Sequence, residues 1–336
     1  MAVRIALLGA GRIGQVHARA IAGSAGATLS AVADAVPRAA QAVAERYGCA
    51  ISTVEAIETD ADIDAVVVCT PTDTHAGLIE RFARAGKAVF CEKPIDLNVA
   101  RVKACLEVVE ETGATLMVGF NRRFDRHFVA LADAVANGRI GRVEQVLITS
   151  RDPAPPPMDY IARSGGIFRD MTIHDFDMAR FLLGAEPASV AASASVLIDE
   201  AIGQAGDYDT AIVMLATGDG RQCVISNSRR ATYGYDQRIE VHGSKGMVSA
   251  ENQRAVSIEI ADGGGFTRPP LHDFFMTRYT EAYASEIAAF VQSVTNGTAP
   301  SPGGDDGLSA LVLAEAALMS VREGRTVRVD EVLAAA

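Results

Sequence analysis

The chain has no run approaching the roughly 18 consecutive apolar residues that a membrane span requires, although 49% of its 336 residues are hydrophobic. Its apolar start is cut short by Gly9, with no cleavage-type pattern behind it, and so does not read as a signal peptide. Positive charge is also scarce: 31 lysines and arginines against 42 aspartates and glutamates leave a net charge of −11. That sign is wrong for a surface that follows a nucleic acid. Among the five cysteines, Cys49, Cys69, Cys91, Cys105 and Cys223, there is no C-x-x-C pair. An odd, scattered set suits reduced core side chains, not a disulfide or zinc framework. Internal repeats and low-complexity linkers are absent too. What remains is a soluble, cytoplasmic globular chain, long enough for two domains with a core each.

What is present starts at once. Val3 to Leu8 reads as an apolar strand running straight into Gly9-Ala10-Gly11-Arg12-Ile13-Gly14, and the alanine-rich segment behind it reads as a helix to about Ala22. A dinucleotide pyrophosphate needs that order. Gly9 allows the tight turn, Gly11 admits the phosphates to the backbone, and Gly14 lets helix and strand pack closely. The helix N-terminus supplies N–H groups and partial positive charge to the anion. The turn, from Gly9 and Gly11 through Arg12, Ile13 and Gly14, is therefore a candidate cofactor loop. Asp34 ends a second apolar run about 20 positions on, where a carboxylate meets ribose hydroxyls and repels a 2′-phosphate. This favours NAD over NADP, although Arg38 is near enough to receive that phosphate or to stack on adenine.

Strand and helix patterns alternate to about residue 120, with strands at Val3 to Leu8, Leu29 to Asp34, Ala65 to Cys69, Ala88 to Cys91 and Thr115 to Gly119. Near-continuous apolar strands between amphipathic helices predict a doubly wound parallel sheet, an α/β Rossmann domain over residues 1–121. Ligands bind outside the carboxyl ends of such strands, which draws attention to Thr70-Pro71-Thr72, Glu92-Lys93-Pro94 and Asn121-Arg122-Arg123.

Residues 122–336 read differently. A helix from Phe124 to Asn137 leads into strands near Val143 to Arg151, Ala188 to Val196, Asp209 to Thr217 and Gln222 to Ala231, with turn signals at Gly218-Asp219-Gly220 and Gly243 to Gly246. This predicts an α+β domain with a mostly antiparallel open sheet. Few helices remain to cover that sheet, so a partner subunit is expected on its open face. Two helices close the chain, Glu281 to Thr295 and Leu308 to Glu323; the second is apolar over a wide arc and is a candidate to pack back onto the first domain. Pro153 and Pro155-Pro156-Pro157 predict a stiff extended loop.

Two stretches carry chemistry. Lys93, beyond the fourth strand in that series, can hydrogen-bond a reacting oxygen and stabilise alkoxide character; its bland alternative is a solvated strand-end lysine. Asp170, His174 and Asp177 fall on one face of a helix predicted from Asp170 to Leu183. A carboxylate on one imidazole nitrogen fixes the tautomer and leaves the other to accept a proton. A structural histidine in a surface charge network, or a metal held by these three, are the competing readings.

Gly9 to Gly14 with Asp34, Cys69-Thr70-Pro71-Thr72-Asp73-Thr74-His75, Cys91-Glu92-Lys93-Pro94 and Gly165 to Asp177 together resemble the glucose-fructose oxidoreductase, inositol dehydrogenase and MocA family over the whole chain. With Ser150-Arg151-Asp152-Pro153, the pattern looks most like its inositol 2-dehydrogenases. That resemblance implies NAD-linked oxidation of the axial hydroxyl of myo-inositol, usually in a homotetramer; no metal is expected, because no other histidine lies near His174 in the sequence and a hydride acceptor already supplies the oxidising power. It implies cofactor contacts from Thr70, Pro71, Thr72, His75, Glu92 and Lys93 and a catalytic triad of Lys93, Asp170 and His174. Arg123, Asp152 and Asp177 match polyol-binding positions, and a tyrosine is expected nearby, Tyr235 slightly ahead of Tyr233. Each substrate hydroxyl needs such a polar partner in a partly dry pocket. Scyllo-inositol or another cyclic polyol or sugar is the alternative substrate, and a non-catalytic sugar or NAD sensor the alternative class.

Overall fold

The computed structural model describes residues 2–336, and the chain divides into two units. One contains everything up to Asp125 together with Glu281–Leu311; the other contains Arg126–Thr280 and Val312–Ala335.

In the first unit, strands β1 (Val3–Leu8), β2 (Ala27–Ala33), β3 (Ala50–Ile51), β4 (Ala65–Val68), β5 (Ala88–Glu92) and β6 (Leu116–Gly119) alternate with helices α1 (Arg12–Ala22), α2 (Pro37–Tyr47), α3 (Val54–Thr59), α4 (His75–Arg84) and α5 (Val99–Thr112). The strands pair in the order β3-β2-β1-β4-β5-β6, every pair parallel. β4 is buried along its whole length, as a strand with helices on both faces must be. Strand order reverses between β1 and β4, and such a switch point opens a crevice at the carboxyl edge. The expected Rossmann sheet is therefore present. Its edge strand β3 is an addition: two exposed residues make no apolar run.

The second unit runs α6 (Arg126–Ala136), β7 (Val143–Arg151), α7 (Met158–Ser164), a π-helical turn at Phe168–Thr172, α8 (Ile173–Leu183), β8 (Pro187–Ser195), α9 (Glu200–Gln204), β9 (Thr210–Thr217), β10 (Gln222–Ser228), β11 (Asp236–Gly243), β12 (Gly246–Ala250), β13 (Ile260–Asp262), β14 (Gly265–Thr267) and α10 (Phe275–Arg278). The chain then closes with α11 (Thr280–Asn296), α12 (Gly304–Glu323), β15 (Val327–Arg328) and α13 (Val329–Ala335). Seven strands form one sheet, β12-β11-β7-β10-β9-β8-β15, in which only β7 and β10 run parallel. One face buries Val146, Ile148, Val213, Leu215, Cys223 and Ile225, and α8 packs against β7 and β10. On the other face Met214, Val224 and Leu147 stand side by side across β9, β10 and β7, with Met214 and Leu147 exposed.

The boundary between units is not a single cut after residue 121. Tyr283, Glu286, Ile287, Phe290 and Val291 form a buried stripe at helical spacing on α11. Ile287, Phe290 and Val291 join Ile5, Leu7, Val67 and Phe90 in the core of the first unit. The wide-arc helix α12 is shared, belonging to the first unit as far as Leu311 and to the second from Val312. None of the helices in the described residues is long and apolar enough to cross a membrane.

Candidate active site

The glycine-rich turn is built as its spacing requires. Gly9 has φ +93°, and a Cβ there would lie 2.6 Å from the Cys69 carbonyl; a Cβ on Gly14 would run into the Gly9 carbonyl oxygen. Gly11 faces open space and precedes α1 without any side-chain cap, so the first N–H groups of the helix remain open to an anion. Arg12 is exposed and Ile13 half-buried beside it. Asp34 Oδ2 accepts the Ala10 N–H at 2.5 Å and Oδ1 accepts the Val36 N–H at 2.7 Å. This fixes the carboxylate to the turn and leaves each oxygen a lone pair for a ribose hydroxyl. Arg38 is exposed in the first turn of α2. These residues fit a dinucleotide, which, when bound, supplies the hydride acceptor.

Beyond β4, Thr70 Oγ1 and Thr74 Oγ1 stand 2.6 Å apart, and Thr74 Oγ1 donates to the Pro71 carbonyl at 2.7 Å, which holds the Thr70-Pro71-Thr72 corner. His75 is buried, its two ring nitrogens facing backbone carbonyls. The Glu92 carboxylate lies against the buried His17, Oε1 at 2.6 Å from its Nε2. Burial, and the Glu92 charge after it, push the Cys69 and Cys91 thiols well above the usual range, so both are inert core side chains. Lys93 is half-buried at the end of β5. Arg123 pairs with Asp306 at 2.8 Å and donates to Ser301 at 3.3 Å.

In the second unit, Asp170 sits within the π-helical turn and His174 is half-buried in the first turn of α8. The continuous α-helix expected from Asp170 is thus corrected: π-turns insert an extra residue that a 3.6-residue period does not reveal, and they cluster at functional sites. Tyr160, 40% exposed on α7, donates to Asp170 Oδ1 at 2.7 Å. The buried Arg229 guanidinium lies 3.6 Å from Asp170 Oδ2 and donates to Asp207 Oδ2 at 3.2 Å. Asp207 Oδ1 in turn accepts the Ile167 N–H at 2.8 Å, just ahead of the π-turn. Asp170 is therefore held as an oriented anion.

The remaining expected residues have the following surroundings. Asp152 is half-buried just past β7, its N–H bonded to the Ser228 carbonyl. Asp177 is buried with Arg180 at 3.9 Å. Tyr235, the preferred tyrosine, is only 6% exposed and stands edge-on to Phe274 and Tyr279 in a core aromatic group. Tyr233 is 51% exposed, donates to Asp236 at 2.5 Å and accepts from Arg151 at 3.0 Å. Partial burial and the Asp236 carboxylate raise its phenol above the ordinary range. The tyrosine bonded to Asp170 is Tyr160, on the short helix that follows the prolines, which the sequence reading did not single out. Among the described residues, no three His, Cys, Asp or Glu side chains are grouped as metal ligands.

Known proteins place this arrangement. Residues 3–120 match the model of an oxidoreductase family with an NAD-binding Rossmann fold, and residues 128–249 match the GFO/IDH/MocA C-terminal domain. An inositol 2-dehydrogenase of Rhizobium meliloti (strain 1021) is 70% identical over 329 residues, 98% of this chain and 100% of that protein. A myo-inositol 2-dehydrogenase of Thermotoga maritima is 46% identical over 98% of this chain and 100% of its own length. The crystal structure of a scyllo-inositol dehydrogenase from Lactobacillus casei with bound NAD(H) and scyllo-inositol superposes with a TM-score of 0.91 at 29% identity, covering 98% of this chain and 100% of that one. With a Rossmann sheet carrying an open glycine turn and a mostly antiparallel second sheet, the chain belongs to the GFO/IDH/MocA family of NAD-binding oxidoreductases.

Proposed function

We propose that this enzyme oxidises the axial hydroxyl of myo-inositol to 2-keto-myo-inositol with NAD as hydride acceptor. The observation that carries this reading is the 70% identity, over essentially the whole of both chains, to an inositol 2-dehydrogenase. In the mechanism, His174 takes the proton from the reacting hydroxyl. Asp170, oriented by Tyr160 and Arg229, keeps the imidazole in place and stabilises the charge it gains. The Lys93 ammonium donates to the same oxygen and stabilises its alkoxide character. Asp152, Arg123 and Asp177 are assigned to the other hydroxyls; two of these already have ionic partners, Asp306 and Arg180, so they would recognise substrate as members of those pairs.

The apolar row Met214-Val224-Leu147, with exposed Ile212 beside it, supports assembly through the open sheet face as a homotetramer. Five free cysteines, four of them buried, suit a reducing cytoplasm.

The test is NADH absorbance with a panel of inositols and sugars. The proposal predicts kcat/KM for myo-inositol at least about tenfold above that for scyllo-inositol or glucose, and a preference for NAD over NADP. A scyllo-inositol preference would replace the substrate, and absence of NADH with every polyol would leave a sensor.

A further inference from the structure

Lys93 is bracketed by two buried histidines that the mechanism does not use. On one side, Glu92 Oε1 stands 2.6 Å from His17 Nε2, while Glu92 Oε2 accepts the Lys93 N–H at 3.3 Å. On the other, the Pro94 carbonyl oxygen is 2.8 Å from His75 Nδ1, and His75 Nε2 is 2.8 Å from the Thr70 carbonyl oxygen. His17 is 0% exposed and His75 2%. His17 lies on α1, the helix opened by the glycine turn; His75 begins α4, directly after Thr70-Pro71-Thr72.

Burying imidazoles and a carboxylate carries a desolvation penalty that an apolar side chain of similar size would avoid. Here each ring runs from a helix beside the dinucleotide-binding turns to a residue adjoining Lys93. His17 packs against Phe90 and Tyr283, with ring centroids 5.0 and 5.4 Å away, so its imidazole has little freedom to turn from Glu92. We infer that His17 and His75 are positioning residues that fix the Glu92-Lys93-Pro94 corner and tie it to the cofactor turns. The inference rests on Lys93 acting on the substrate oxygen, because displacing a catalytic group by about 1 Å can lower its rate effect by roughly 10²-fold.

The two nitrogens of His75 serve different ends, and amides separate them. An asparagine amide reaches the place of Nδ1 and can donate to the Pro94 carbonyl; a glutamine amide reaches that of Nε2 and can donate to the Thr70 carbonyl. In the full-length enzyme, kcat and KM for NAD are measured for His75→Gln, His75→Asn, His17→Leu and His17→Gln. Acylation of Lys93 by a limiting dose of acetic anhydride is read by mass spectrometry against Lys87, Lys103 and Lys245 in the same sample. The expected result is about tenfold lower kcat and at least about threefold altered Lys93 labelling in His75→Gln, with KM for NAD nearly unchanged. His75→Asn should instead raise KM for NAD about fivefold with kcat nearly intact. His17→Leu should follow His75→Gln, and His17→Gln should restore most of the loss. If His17→Leu fails to fold, the His75 pair decides alone. Unchanged Lys93 labelling in His75→Gln, or identical effects of the two His75 variants, would overturn the inference. Labelling needs no turnover, so it separates this failure from failure of Lys93 as a catalytic group, which would show as full activity in Lys93→Met.

Discussion

Replacement of His174 by alanine is expected to lower turnover with myo-inositol by about 10²- to 10⁴-fold while leaving NAD affinity nearly intact. The size follows from the chemistry: loss of a hydride from carbon is favourable only as the hydroxyl proton departs, and water is a poorer and less well-placed acceptor than an imidazole. The selectivity follows from the fold. His174 lies on α8, whereas NAD is assigned to the glycine turn and Asp34, whose hydrogen bonds to each other and to Val36 do not involve it. Turnover by NADH absorbance and NAD affinity by calorimetric titration check the two halves. Catalysis insensitive to the change would remove His174 from the mechanism.

The second large effect is expected from Lys93→Met, which keeps the length of the side chain and removes its charge. Deleting one preorganised donor to a developing oxyanion lowers rate by about 10²- to 10³-fold, and a loss in kcat of that order is predicted, with the substitution outside the glycine turn. Full activity in this variant would make Lys93 a bystander at the end of β5. Because Lys93 and His174 are assigned to one oxygen, the doubly substituted enzyme should lose less than the product of the two single losses, as residues that work as a unit do.

Much of this fold was legible in the sequence for physical reasons. Strands covered on both faces must be almost wholly apolar, so β4 stands out, as do β1 and β5 with one charged residue each, and the glycine turn is recognisable because only glycine tolerates the Gly9 backbone and the Gly14 approach. A two-residue edge strand such as β3 leaves no such trace. The period of α11 announced a buried stripe but not which core would receive it, so a return to the first unit was expected of α12 alone, whereas α11 makes it as well.

In the site, residue types at motif positions were readable, but their supports were not. Arg229 reaches Asp207 across 22 positions and Asp170 across more, and nothing local marks such a triad. Tyr160 was hidden because Pro155, Pro156 and Pro157 suggested an extended loop, whereas Pro157 stands immediately before the first turn of α7, a position where a missing N–H is harmless. Which of Tyr233 and Tyr235 the chain turns inward ahead of β11 was equally hidden, because Phe274 and Tyr279, against which Tyr235 packs, lie far along the sequence.

The account stands or falls on where two side chains meet. A crystal structure of the enzyme with NADH and myo-inositol tests this most directly. It should place one imidazole nitrogen of His174 and Nζ of Lys93 both within about 3.2 Å of the same axial oxygen, with the carbon that bears it facing the nicotinamide. A complex in which those two groups contact different hydroxyls, or open into separate cavities, would contradict it.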